Sequence, residues 1–201
     1  MNRVELKKWA REKVVGKRWS LLPAIIIAGI LTNFSITTGK NADTGFYNTI
    51  SIGWILYFIN VGLTYFMINF ITDKKYEFND IFHFSKDFVK ALVVSLLQII
   101  FVFLWTLLLI VPGIIKWLSY ALVPYIMADD KYSNMSEMDI LRKSQEMMMG
   151  HKMDYFVLLL SFIGWHILAI PTLFLLELWI VPYQQTTVTK FLYDIKESDG
   201  K

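Results

Sequence analysis

The chain has 201 residues, of which 55% are hydrophobic, 16% aromatic and only 18% charged, and its formal net charge is +3. Ordinary soluble domains are about 25% charged. The composition therefore excludes a typical soluble domain and predicts an integral membrane protein. The sequence contains no cysteine, which excludes disulfides, thiolate metal sites and a cysteine nucleophile.

Residues 1–19 form a basic segment that contains seven of the 20 lysines and arginines. No small-residue cleavage site follows it, so we expect the segment to be retained rather than removed as a signal peptide. Apolar residues among the charges predict a basic amphipathic helix on the cytoplasmic side: Val4, Leu6, Trp9, Val14 and Val15. Two roles remain open, an interfacial helix on anionic lipid headgroups and a basic flank that only sets topology.

Apolar runs bounded by charges or turn residues predict an all-α, polytopic membrane helix bundle over residues 20–192. A hydrocarbon core of about 30 Å takes about 20 helical residues to cross. Six runs meet this length or approach it: 20–38, 50–71, 90–110, 113–128, 153–170 and 172–192.

Two polar segments separate these runs, near residues 73–89 and 133–149. Aromatic or aliphatic residues recur in both at helical spacing, which predicts amphipathic cytoplasmic helices. Packing under the bundle is favoured over recruitment of a soluble partner. In the second segment, Asn134 with Glu137 three residues later resembles a helix N-cap. Residues 193–201 are predicted to be a short cytoplasmic tail.

The basic residues predict the orientation of the bundle. In the six-span arrangement, 18 of the 20 lysines and arginines lie on one side, and only Lys40 and Lys116 lie on the other. By the positive-inside rule, both termini are then cytoplasmic and the protein lies in the cytoplasmic membrane. An odd number of spans would divide the basic clusters between the two sides.

A short pattern occurs twice along the chain. Trp105 precedes Pro112 by seven residues, and Trp165 precedes Pro171 by six. A Val-Pro-Tyr triplet follows each proline, ending at Tyr125 in the first case and at Tyr183 in the second. The pattern predicts a parallel repeat of two helical hairpins. Chance is the alternative, because aromatic residues are common at membrane interfaces.

Two charges fall inside predicted spans, Lys116 and Glu177. A charge at the bilayer centre costs about 2.5–3.5 kcal/mol and usually pairs inside the bundle. The two could form an ion pair that lines a substrate or proton path, but a lysine at this depth can also extend its stem to the outer surface. We favour this second role for Lys116, which leaves Glu177 as the stronger functional candidate. Polar residues of the last span complete the candidate set: Gln184, Gln185, Thr186 and Thr187.

No catalytic or metal-binding pattern is evident in the sequence. His83, His151 and His166 are far apart and lack the spacing of zinc sites. The adjacent carboxylates Asp129 and Asp130 are a weak candidate for a cation site in a lipid enzyme. We therefore expect no enzyme activity, no cofactor, no metal and no nucleic-acid partner.

Several short motifs together resemble an uncharacterised bacterial integral-membrane family, known as domain of unknown function 975. The residues that carry the resemblance are Pro112-Gly-Ile-Ile-Lys116, Ser119-Tyr120, Pro124-Tyr125-Ile126, Ala128-Asp129, Gly150-His-Lys-x-Asp154, Leu160-Ser-Phe-Ile-Gly-Trp165 and Trp179-x-x-Pro-Tyr183. Glu177 departs from the pattern, which has a small or apolar residue there. The resemblance covers nearly the whole chain and implies a multi-span inner-membrane protein, but it implies no activity.

These observations favour a non-enzymatic accessory or interaction protein. Its partner would be a membrane protein, a second copy of the chain, a lipid or a membrane-active peptide. The alternative is a small transporter or channel with a polar cavity between the two hairpins. That alternative requires Glu177 to face such a cavity.

Overall fold

The computed structural model describes residues 2–32, 35–40, 47–51, 59–172 and 175–199. This part of the chain is helical apart from one antiparallel hairpin of β1 (Ser35–Lys40) and β2 (Tyr47–Ser51). The α-helices are α1 (Arg3–Val14), α2 (Arg18–Thr32), α3 (Ile59–Ile71), α4 (Phe88–Leu108), α5 (Ile110–Ser119), α6 (Val123–Met127), α7 (Glu137–Met147), α8 (Lys152–Ala169) and α9 (Glu177–Asp199). Three 3-10 segments connect them: Phe78–Asp87, Asp130–Tyr132 and Ile170–Thr172.

Three helical stretches of the described chain are long and apolar enough to cross a membrane. They are Phe88–Leu107, Ile110–Met127 and Lys152–Thr172, which coincide with the predicted spans 90–110, 113–128 and 153–170. The pair α1 and α2, bent by 103°, would make a fourth if it is one broken span. Large apolar side chains on α4 and α5 are exposed, among them Leu107, Ile110 and Val111. An apolar surface of this kind is typical of a membrane-facing region.

Parts of the first two predicted spans, 20–38 and 50–71, are β-strand rather than helix. Helix α2 ends at Thr32 and α3 begins at Ile59, and segments between them form the β-hairpin, in which Ser35 pairs with Ser51. Isoleucine and threonine are frequent in both strands, and such β-branched residues favour extended structure. Residues 33–34, 41–46 and 52–58 of this connection lie outside the described residues.

The C-terminal region also differs from its prediction. Helix α9 continues to Asp199, through most of the predicted tail 193–201. Two ion pairs hold this end, Lys196 with Asp129 and Lys143 with Asp199 (2.6 Å). Helix α9 begins at Glu177, five residues after the start of the last predicted span (172–192), and extends beyond the end of that span.

The basic N-terminal segment forms α1, as predicted. Asn2 and Glu5 make a capping box at its start. Leu6, Ala10 and Val14, each four residues from the next, are almost fully buried. Since residues four apart lie on one helical face, this stripe docks onto the rest of the protein, where Leu6 packs with Leu158 and Phe162 of α8.

The polar segments near 73–89 and 133–149 both pack against the bundle. The first is largely the 3-10 segment Phe78–Asp87 rather than an α-helix. The second is α7, whose N-cap is Ser136 and not Asn134, because the Ser136 hydroxyl accepts the backbone N–H of Asp139 (3.3 Å). Ser144 of α7 is fully buried and donates to the backbone carbonyl of Ser119 (2.9 Å), at the end of α5.

Substitution of Gly62 by alanine should destabilise the fold. A Cβ atom at Gly62 of α3 would overlap the backbone carbonyl of Ile81, so the 3-10 segment would have to move away from α3. Gly164→Ala on α8 is the matched control, since a Cβ atom there meets nothing within 4 Å. We expect a lower melting temperature of the detergent-solubilised protein for Gly62→Ala only. Equal melting temperatures for the two variants would contradict the close packing at Gly62.

Loss of the Asp129 carboxylate should also destabilise the fold, because Lys196 is only 5% exposed. Removal of one partner of a buried ion pair costs about 3–5 kcal/mol, and we expect the lower end because the Asp129 side chain is 29% exposed. Asp129→Asn should therefore lower the melting temperature by several degrees, whereas Asp130→Asn, at an exposed site, should not.

The same ion pair predicts a dependence of stability on pH. Burial raises the pKa of Asp129, but the hydrogen bonds from Lys196 and from the backbone N–H of Lys131 outweigh it, so the pKa lies below its ordinary value. The stabilisation is then fully present above the unfolded-state pKa of about 3.9 and is lost as the pH falls through the folded-state pKa. Thermal unfolding between pH 6 and pH 3 should show a loss that Asp129→Asn lacks.

Candidate functional site

Lys116 belongs to α5 and contacts side chains of α4 and α7. Its Nζ donates to Oε1 of Gln145 (2.8 Å) and stands 5.0 Å from the centre of the Trp105 ring. Gln145 in turn donates from Nε2 to the Tyr120 hydroxyl (3.4 Å). The prediction that Lys116 extends to the outer surface does not describe this arrangement, since the ammonium group is held by protein side chains.

This contact also bears on the predicted topology. The six-span arrangement puts Lys116 and residues 133–149 on opposite sides of the bilayer, so the bond between Lys116 and Gln145 requires α7 to extend between the helices toward Lys116. A turn at Tyr120–Leu122 separates α5 from α6 and allows α7 to reach Lys116. Helix α5 has only ten residues, and α7 packs back against α4 and α6.

Glu177 pairs with a residue that the sequence did not single out. Its Oε1 lies 2.8 Å from Nδ1 of His166, and the ion pairs of the described residues include none between Glu177 and Lys116. Nε2 of His166 lies 2.6 Å from Oε1 of Gln184. Glu177 and Gln184 are seven residues apart, about two turns of α9, so both reach the same face. His166 and Glu177 are almost equidistant from Pro171, a symmetry of the hairpin that could have indicated the pairing.

The other polar residues of α9 divide between the interior and a cavity. Thr186 and Thr187 are fully buried, and their hydroxyls donate to the carbonyls of Pro182 (2.8 Å) and Tyr183 (2.7 Å) one turn earlier. The helix itself therefore satisfies these hydroxyls. Gln185 faces a cavity of about 340 Å³ between α2, α3 and α9, which we call the carboxylate cavity because Glu177 also lines it.

Most of the carboxylate cavity is aliphatic. Asn60 and Gln185 contribute amide groups to its wall, and Glu177 contributes the charge. The apolar part of the wall comes from all three helices: Leu22, Ile25, Ile26, Ala28, Leu63, Leu178 and Val181.

A second site lies on the other side of α9, between α1 and the α8–α9 hairpin. Two cavities of about 310 Å³ and 520 Å³ adjoin there and share Arg11, Trp165 and Tyr183; together we call them the α1 groove. The smaller cavity is mainly apolar, with Val14, Val15, Leu176, Trp179 and Ile180 beside Arg18. The larger one is lined by Val4, Lys7, Lys8 and Glu12.

Aromatic rings hold several of the cations in the α1 groove. The Arg18 guanidinium lies 3.8 Å from the centre of the Trp179 ring, and Lys7 Nζ lies 4.4 Å from that of Phe162. Such cation–π contacts are worth about 0.5–2 kcal/mol each. Nε of Arg18 is buried and has no hydrogen-bond partner among the described residues. The groove thus combines oriented positive charge with an apolar floor.

The two aspartates proposed for a cation site do not form one together. Asp129 accepts from Lys196, which neutralises it, and Asp130 is exposed. Among the residues whose side chains are described, which exclude His83, no three His, Asp or Glu groups could hold a metal ion. His151 and His166 lie near opposite ends of α8.

Fold and sites together define a helical protein with several apolar helices suited to a membrane, with the carboxylate cavity and the basic α1 groove on opposite faces of α9. The chain belongs to the family described as protein of unknown function DUF975, whose model matches residues 1–119 and 107–199. This confirms the family predicted from the sequence motifs. Neither the curated proteins nor the solved structures include a match to the chain.

Cross-linking can test the contact between Lys116 and α7, because the chain has no native cysteine. The double variant Lys116→Cys, Gln145→Cys should cross-link in membranes with a short thiol reagent, since the native side chains are 2.8 Å apart. The control is Lys116→Cys, Glu177→Cys, whose native residues have different partners. A cross-link in the control pair alone would contradict the contact with α7 and support the ion pair between Lys116 and Glu177 that was expected from the sequence.

Proposed function

We propose that the protein is a non-enzymatic interaction protein of the bacterial cytoplasmic membrane and binds an anionic phospholipid in the α1 groove. The observation that supports this best is the continuity of the groove. An apolar floor beside Trp165 and Trp179 leads directly into a wall that carries Lys7 and Lys8. A phospholipid has the same division into an apolar chain and an anionic headgroup.

Charge favours an anionic ligand over a neutral one. The groove carries four basic side chains, Lys7, Lys8, Arg11 and Arg18, against one acidic side chain, Glu12. Tryptophan is also enriched where membrane proteins meet the headgroup region.

We also propose that the bundle has six spans with both termini in the cytoplasm. The distribution of basic residues supports this orientation through the positive-inside rule. Helix α1 would then lie at the cytoplasmic leaflet, where anionic lipids attract basic residues by about 1 kcal/mol each. The Lys116–Gln145 contact requires α7 to reach into the bundle beside α5, rather than to lie wholly beneath it.

The exposed apolar residues of α4 and α5 supply a surface for a further partner. A membrane protein, a second copy of the chain or a membrane-active peptide could pack there, which is the accessory role expected from the sequence. The alternative function is a small transporter or channel. The carboxylate cavity favours it, because Glu177 and Gln185 line a space of about 340 Å³, but this cavity lies between α2, α3 and α9 and not between the two hairpins expected from the sequence.

Quenching of tryptophan fluorescence by brominated lipids tests the lipid site. Brominated phosphatidylglycerol should quench more strongly than brominated phosphatidylcholine in protein reconstituted into mixed bilayers, since Trp165 and Trp179 line the groove. The triple variant Lys7→Gln, Lys8→Gln, Arg11→Gln should lose this preference. Three charges at about 1 kcal/mol each correspond to roughly a hundredfold in affinity.

The matched control is Lys74→Gln, Lys75→Gln, Arg142→Gln, which removes the same charge from exposed sites that do not line the groove. The control should keep the preference for phosphatidylglycerol. Equal losses in the two triple variants would show a general electrostatic effect and would contradict a lipid site in the α1 groove.

A further inference from the structure

The carboxylate of Glu177 has a histidine on one side and a cavity on the other. Its Oε1 lies 2.8 Å from Nδ1 of His166, and its side chain is only 24% exposed. The same side chain lines the carboxylate cavity. A partly buried acidic group at the edge of an aliphatic cavity is a site for a cation with an apolar part.

The histidine orients this carboxylate. His166 is bonded at both ring nitrogens, by Glu177 at Nδ1 and by Gln184 at Nε2 (2.6 Å). Because Glu177 and Gln184 both belong to α9, the ring is fixed against a single helix. A carboxylate held in this way is organised before a ligand arrives, which reduces the entropic cost of binding.

The hydrogen bonds define two protonation states of the cluster. An ionised carboxylate and an amide oxygen only accept hydrogen bonds. With Oε1 of Gln184 facing Nε2, both ring nitrogens must carry protons, and the cluster of imidazolium and carboxylate is then neutral. If the amide turns over, its NH₂ group donates to a neutral Nε2, and the cluster carries one negative charge.

We infer that the carboxylate cavity binds a primary alkylammonium ion at Glu177 in exchange for a proton on His166. The ammonium group pairs with the carboxylate when His166 is neutral, and the short alkyl chain contacts Leu22, Ile25 and Leu63. On binding, the proton leaves Nε2 for solvent and the Gln184 amide turns to donate to that nitrogen. This site is separate from the α1 groove and does not depend on lipid binding there.

The charged side chains on neighbouring elements have other partners, so the proton exchange is confined to the cluster of His166, Glu177 and Gln184. Among the residues that the structure describes, Glu177 is the charged group in contact with His166. Lys7 and Arg11 of α1 lie over Phe162 and Tyr183, Arg18 lies over Trp179, and Lys116 of α5 bonds Gln145.

Calorimetric titration of the solubilised protein with n-butylammonium, with n-butanol as the neutral control, tests the inference. We expect n-butylammonium to bind and n-butanol to bind at least tenfold more weakly. Because the ligand competes with one proton, its affinity should fall by up to tenfold for each pH unit below the pH at which the cluster loses that proton. Glu177→Gln should weaken binding at least tenfold, and His166→Gln should retain binding but lose its dependence on pH.

Proton release by the unaltered protein gives a second readout that needs no variant. In weak buffer, at a pH below that at which the cluster loses its proton, each bound n-butylammonium should release about one proton. Absence of release would overturn the exchange, and equal affinity of Glu177→Gln and the parent protein would overturn the site. Neither result would affect the lipid preference measured at the α1 groove.

Discussion

Polar groups inside the helical bundle must find partners within the protein, and this requirement shapes the structure. Water cannot satisfy them in a membrane, so each one left alone would cost several kcal/mol. Glu177 has His166, Lys116 has Gln145, and Thr186 bonds the carbonyl of its own helix. The first contact joins α8 to α9, which meet at a turn, and the second joins α5 to α7, which are separated in sequence. Each contact therefore fixes how its two helices pack.

Helix α9 shows the consequence most clearly. It is too polar to qualify as a membrane span by composition, yet most of its middle is buried or half-buried. The reason is its position, because α1, α2, α3, α6, α7 and α8 all contact it. A helix surrounded by protein can carry threonines, glutamines and a glutamate that a lipid-facing helix could not.

The sequence predicted features that depend on local composition. The apolar runs of α4 and α8 reach the length of a membrane span, and the family motifs lie largely within α5, α6, α8 and α9. Partners across the fold were not predictable in the same way. Lys116 was assigned to the outer surface because its depth along one span was the available measure, whereas its contact with Gln145 depends on how α7 folds back. His166 was set aside because no metal pattern surrounds it, although a lone histidine opposite a carboxylate on the other arm of a hairpin can serve as its partner.

The two sites share one helix but differ in the side chains that line them. Ile180 and Tyr183 of α9, with Leu176 just before the helix, face the α1 groove, while Glu177, Val181 and Gln185 face the carboxylate cavity. Pro182 lies between these clusters and removes the hydrogen bond that would otherwise reach the carbonyl of Leu178. Helices bend most readily where such a bond is missing. Because both faces belong to one helix, any coupling between ligands at the two sites would by linkage act equally in both directions.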